Sequence, residues 1–143
     1  EGGYTIQSSR FDNAVEHIDG IPGTKEFIRT PDNYGYAVLT YTKNNISSTL
    51  NYIYTGSMKV PHFAGALNQL VDEISTTKSF SELSIKFNYT IPTNTISLDL
   101  YAGVKNIFNQ YQSDFDIGKN RDSNFIYGPS QPRTIYFGVR INF

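Results

Sequence analysis

Any chemistry in this chain would have to come from few residues. There is no cysteine, so thiol catalysis, cysteine metal sites and a disulfide scaffold are excluded. The two histidines, His17 and His62, stand apart in stretches broken by Asp19-Gly20, Pro22-Gly23 and Pro61. Both read as solvated loop residues. Asp114, Asp116, Lys119, Arg121 and Asp122 cluster near one another, and such a cluster could hold a cation. Asp114-Phe-Asp116 followed by Ile-Gly matches only part of a calcium loop, however. The cluster reads instead as a loop scaffold with Arg121 paired to Asp122. Gly103, Gly128 and Gly138 are single glycines with no phosphate-cradling pattern, and suit places where strands bend or neighbours approach. No catalytic residue, metal site or cofactor is expected.

The elements that carry these residues announce themselves by period. From Thr134 to Phe143 the chain alternates without a break: Ile135, Phe137, Val139, Ile141 and Phe143 on one face, Thr134, Tyr136, Gly138, Arg140 and Asn142 on the other. Weaker or comparable alternation marks Gly3 to Ser9, Tyr34 to Tyr41, Ile46 to Tyr54, Phe80 to Tyr89 and Ile96 to Lys105. Lys43-Asn44-Asn45 and Pro92-Thr-Asn94 read as tight turns, since asparagine tolerates the left-handed conformations that hairpins need. Three long connections, 10–32, 56–78 and 106–132, separate the remaining strands. Within the second, Leu67, Leu70, Val71 and Ile74 have helical spacing and predict a short helix over Gly65 to Ile74.

Connections that alternate long and short have no reason to exist in a soluble sandwich. They suit a membrane barrel with short periplasmic turns and long extracellular loops. Glu82, Lys86, Asp99, Lys105 and Arg140 all fall on the polar faces, where a barrel would place its lumen. Ile85 and Leu98 are expected at mid-height facing lipid. Tyr41, Tyr52, Tyr54, Tyr89 and Phe143 lie near strand ends on the apolar face, as interfacial girdles do. The composition agrees: 15% aromatic residues, with 11 Tyr and 10 Phe, is rich in residues that favour strands and membrane interfaces. No apolar run approaches the ~20 residues of a membrane-spanning helix. The net charge of −1 offers no electrostatic case for nucleic acid.

Arg29-Thr-Pro-Asp-Asn-Tyr-Gly-Tyr36, Tyr54-Thr-Gly-Ser-Met58 with Val60-Pro-His62, and Gly103-Val-Lys-Asn-Ile-Phe-Asn109 resemble the C-terminal barrel of TonB-dependent outer-membrane receptors of Bacteroidetes-type bacteria. So do Tyr111-Gln112, Asp114-Phe-Asp116, Arg121-Asp122 and Tyr127-Gly-Pro-Ser-Gln-Pro-Arg133. The likeness covers nearly all of residues 1–143. It implies an all-β transmembrane antiparallel barrel of about 22 strands with a plugged lumen, of which this chain supplies the C-terminal strands. It also implies uptake of a scarce nutrient (siderophore–iron, haem or cobalamin class) into a bacterial outer membrane. The implied partners are the remaining barrel and plug, the TonB complex acting through the plug, outer-membrane lipid, the assembly machinery, a small ligand and a surface lipoprotein. Phe143 would be the assembly signal. Candidate ligand contacts are His62, which in haem receptors could serve as an axial ligand, and Phe63, Tyr111, Arg121 and Tyr127. The loop aromatics Phe63, Tyr111, Phe115, Phe125 and Tyr127 are expected mostly to pack the loops together. A soluble or surface-attached β-sheet domain that binds carbohydrate or protein is the alternative.

Overall fold

The computed structural model describes residues 1–142; Phe143 lies outside them. The strands are β1 (Gly2–Ile6), β2 (Arg10–Val15), β3 (Thr24–Glu26), β4 (Asn33–Lys43), β5 (Ile46–Thr55), β6 (Lys59–His62), β7 (Glu73–Thr76), β8 (Phe80–Pro92), β9 (Ser97–Lys105) and β10 (Thr134–Asn142). All paired strands run antiparallel, with one isolated parallel bridge between Ile28 and Lys59, and no helix occurs among the described residues. Six strands form one sheet in the order β1-β4-β5-β8-β9-β10, while β2-β3 and β6-β7 are small hairpins inside the long connections. The sheet is open, with β1 and β10 at its two edges.

The expected strands correspond to this sheet, with two adjustments. β1 ends at Ile6, not Ser9, although Gln7 still donates its N–H to Asp32 O at 2.8 Å. Leu98 pairs with Ile91 and Ile141 near the tight-turn end, and Leu100 and Ala102 occupy the middle of β9 instead. The predicted helix over Gly65 to Ile74 does not form. An isolated helix of that length is marginal in water, and other partners take its backbone: Leu67 N–H donates to Ile117 O at 2.9 Å and Gly65 N–H to Gln69 O at 3.0 Å, the reverse of a helical bond. Glu73 and Ile74 join β7, leaving Leu67, Leu70 and Val71 exposed.

Register sorts the side chains cleanly. On one face lie Tyr4, Leu39, Tyr41, Leu50, Tyr52, Tyr54, Leu83, Ile85, Phe87, Tyr89, Leu98, Leu100, Val104 and the apolar residues of β10. The opposite face carries Thr40, Thr49, Asn51, Glu82, Lys86, Asp99, Lys105 and Arg140. The polar face is internally bonded. Asp99 accepts from Thr90 Oγ1 at 2.6 Å and Asn142 Nδ2 at 3.1 Å, and Lys86 sits 5.3 Å over the Tyr101 ring.

Glycine and tyrosine alternate as partners across this sheet. Gly103 faces Tyr136, and Gly138 faces Tyr101, on neighbouring rungs of β9 and β10. A Cβ at Gly103 would come within 2.6 Å of Ile85 O, and each tyrosine ring lies over its glycine where a side chain would stand. Tyr4 over Gly35 and Tyr36 over Gly3 repeat the arrangement between β1 and β4.

The apolar face is left uncovered. Phe137 is 88% exposed, and Ile135, Leu39 and Phe87 are exposed as well. Among the described residues the buried apolar side chains are Ile18, Val60, Ala66, Phe80 and Phe125. All sit in the long connections or, for Phe80, where β8 emerges from one. The packed core therefore caps one end of the sheet.

Candidate functional site

Asparagines anchor the cap to the sheet. At the end of β9 the chain must turn sharply, and Asn106 does so with φ 49°, followed by Asn109 with φ 52°. Asparagine adopts this region more readily than other non-glycine residues. The Asn106 amide, nearly buried, donates to Gln110 O and Gln131 O and accepts from Gln110 N–H. Asn109 Oδ1 accepts from Arg133 N–H at 2.9 Å, one residue before β10 begins. These two side chains bring the ends of the third connection together. Between them Gln112, 1% exposed, bonds Phe125 O and Tyr127 N–H.

His62 ends β6 and enters this cap from the second connection. It is buried, not solvated as its loop position suggested. Its ring stacks face to face on Phe125, with centroids 3.5 Å apart and planes 1° from parallel. Nε2–H donates to Asp116 Oδ1 at 2.7 Å, and Nδ1 lies 3.9 Å from Glu73. Asp116 Oδ2 accepts the Asp122 N–H at 2.7 Å. Asp122 in turn accepts from the N–H groups of Phe63 and Asn124. Asn68 adds a second tie, accepting from Ile117 N–H at 2.8 Å. Arg29, at φ 58°, ties the first connection to the third by donating Nη2 to Asn124 O. The second and third connections are thus fastened by a histidine–carboxylate clamp and an asparagine latch.

The acids of the cluster are consumed in this fastening. Tyr127 donates its hydroxyl to Asp114 at 2.6 Å, and burial together with that carboxylate pushes the phenol well above its ordinary value. Burial raises the Asp116 pKa, but the Asp122 N–H and the His62 ring outweigh it and hold the carboxyl below the usual range. The expected Arg121–Asp122 ion pair is not formed; among the described residues neither Arg121 nor Lys119 pairs with a carboxylate. Backbone N–H donors take Asp122 because they lie at fixed, short reach in the turn, whereas a neighbouring exposed Arg would lose side-chain freedom for little gain.

Four of the five candidate contacts gather near Phe125. His62 stacks on it, Tyr127 packs edge-on at 5.3 Å, and Phe63 is tied to Asp122. Arg121 joins Phe115, Asp116, Asp122, Ser123, Phe125 and Ile126 around a cleft of about 390 Å³. Tyr111 is exposed and does not line it. Of the loop aromatics, Phe125 is buried and Tyr127 half-buried, while Phe63, Tyr111 and Phe115 are left open to solvent, so most are not packed as expected. His62 has the histidine–carboxylate geometry of a catalytic pair, yet Nδ1 faces Glu73 and no hydroxyl. Nε2 is committed to Asp116, and the ring is buried against Phe125. Asn68 carries no signal in the sequence, and Asn106 and Gln112 are marked only by the motifs Gly103-Val-Lys-Asn-Ile-Phe-Asn109 and Tyr111-Gln112 that contain them, without the bonds they make.

The depressed Asp116 pKa has a measurable consequence. Stability from the clamp is present above the unfolded carboxyl value of about 3.9 and is lost as pH falls through the lower folded value. Amide exchange at Asp122, corrected for intrinsic rate, is expected to lose protection below about pH 4, and Asp116→Asn to remove that dependence. A pH-independent exchange rate in the unchanged protein would contradict the clamp.

Comparison of the chain with protein-family models, curated proteins and solved structures finds no match.

Proposed function

We propose that the chain forms the C-terminal wall and loop cap of an outer-membrane transport receptor energised through TonB. The sheet's uncovered apolar face is the observation that carries this reading. Soluble monomers rarely expose contiguous apolar patches beyond a few hundred Å². Here large side chains run across six neighbouring strands, and every charge but that of Lys43 at the end of β4 lies on the opposite face. The strands from β4 to β10 within the sheet run 9 to 13 residues, against the ~9–11 that a tilted strand needs to cross a bilayer. Tyr4, Tyr52 and Tyr54 flank the face at the long-connection end, and Tyr41 and Tyr89 at the tight-turn end, at the heights where girdles form. An open edge in lipid would leave backbone groups unsatisfied, so β1 and β10 are to be paired by further strands of a larger barrel. The motif resemblance adds the plug, TonB coupling, a lipoprotein partner and a siderophore–iron, haem or cobalamin cargo. The cap then faces outside, and the cleft beside Arg121 is the candidate ligand contact.

The absence of cysteine makes a clean test available. Val139→Cys in the bilayer-inserted protein is expected to resist a membrane-impermeant maleimide, while its neighbour Arg140→Cys reacts from the lumen. Equal labelling of the two would defeat the barrel reading. Equal labelling together with monomeric behaviour in detergent-free buffer would favour a soluble binding domain.

A further inference from the structure

We infer that the outer wall holds one glycerophospholipid at the tight-turn end, with its phosphate at Lys43 and an acyl chain in the groove beside Phe87. This rests on the membrane reading above. Lys43 closes β4 on the same face as Tyr41 and Ile46, and it is the only charged residue that register places on the apolar face of the described strands. It forms no ion pair among the described residues. A lysine on a lipid-facing wall reaches toward the headgroups, where anionic phosphate is the available partner. The turn is held in place to present it, because Asn44 takes φ 52° and Asn45 O accepts the Thr90 N–H at 2.8 Å.

Two surface hollows meet at this point. One, of about 650 Å³, lies between Tyr41, Lys43, Asn45 and Tyr89; the other, of about 320 Å³, runs past Phe87, Leu100 and Ala102. They share Ile46 and Tyr89, so a polar mouth continues into an apolar channel. Register explains the channel. One rung across the sheet reads Tyr41, Ser48, Phe87, Ala102, Phe137, so small residues separate large ones on both sides of Phe87. A cation at the mouth and a hydrocarbon slot behind it match a phosphate ester joined to an acyl chain. A free phosphate would leave the slot empty, and a neutral lipid would leave Lys43 unmatched.

Native mass spectrometry of the detergent-purified full protein, titrated with phosphatidylglycerol or with diacylglycerol of the same chains, tests this. Phosphatidylglycerol is expected to be retained and diacylglycerol not. Lys43→Gln is expected to weaken retention roughly fivefold, with Lys43→Arg restoring most of it. Ala102→Phe, which fills the slot, is expected to weaken it while leaving Lys43 intact. Equal retention by the unchanged protein and Lys43→Gln, or of both lipids, would overturn the assignment. If that happens while Val139→Cys and Arg140→Cys still label differently, the barrel stands and only the lipid site falls. Loss of the labelling contrast removes both.

Discussion

Leu100→Arg is expected to destabilise the bilayer-inserted sheet by roughly 2–4 kcal/mol, and Asp99→Asn, one residue away, by much less. Leu100 lies mid-strand between Tyr89 and Val139 on the apolar face, where in the proposed barrel a guanidinium would have neither water nor a counter-ion. Asp99 faces the other way. Its neutral amide could still accept the Thr90 hydroxyl, and the polar face around it keeps Asn88, Thr90 and Asn142. Urea unfolding in lipid vesicles, followed by gel mobility of the folded and unfolded forms, measures both. A midpoint for Leu100→Arg no lower than that of Asp99→Asn would mean that the wrong face has been assigned to lipid.

His62→Ala is expected to cost the cap roughly 2–4 kcal/mol of local stability while sparing the sheet. It would strip Asp116, whose side chain is 2% exposed, of one of its two donors, and leave a void against the Phe125 ring. Amide exchange should accelerate at Phe63 and Asp122 and stay unchanged within β8 and β9. His62→Gln retains a donor and should recover part of the loss. Unchanged protection at Asp122 in His62→Ala would show that the asparagine latch holds the two connections without it.

The sheet was legible because its information is local. A period of two in β10 or β8 needs no knowledge of the rest of the chain, and Lys43-Asn44-Asn45 specifies its hairpin in three residues. The cap was not. Whether His62 is solvated depends on Asp116 and Phe125, which are 54 and more residues away, and spacing along the chain carries no trace of that meeting. The helical spacing of Leu67, Leu70 and Val71 misled for the same reason: their backbone partners, Ile117 among them, lie in another connection. Arg121 and Asp122 suggested a pair by adjacency alone, yet neighbours in a turn point apart when backbone donors claim the carboxylate. The small hairpins β2-β3 and β6-β7 were missed because their strands, of 3 to 6 residues, lie among breakers such as Pro22-Gly23 and Pro61 and show no alternation.

In the proposed barrel the glycine–tyrosine pairs between β9 and β10 would act as an error check on assembly. A strand sliding in lipid must move by two residues to keep its apolar side outward. In one direction such a slide sets Tyr101 against Tyr136, two rings competing for one seat. In the other it sets Gly103 against Gly138, an empty rung, and drives both tyrosines over side chains that occupy their space. Hydrophobicity alone would score all three alignments alike, since the outward residues are apolar at every step. The interlock makes a misaligned strand distinguishable from a correct one on the polar face, away from the face proposed for lipid.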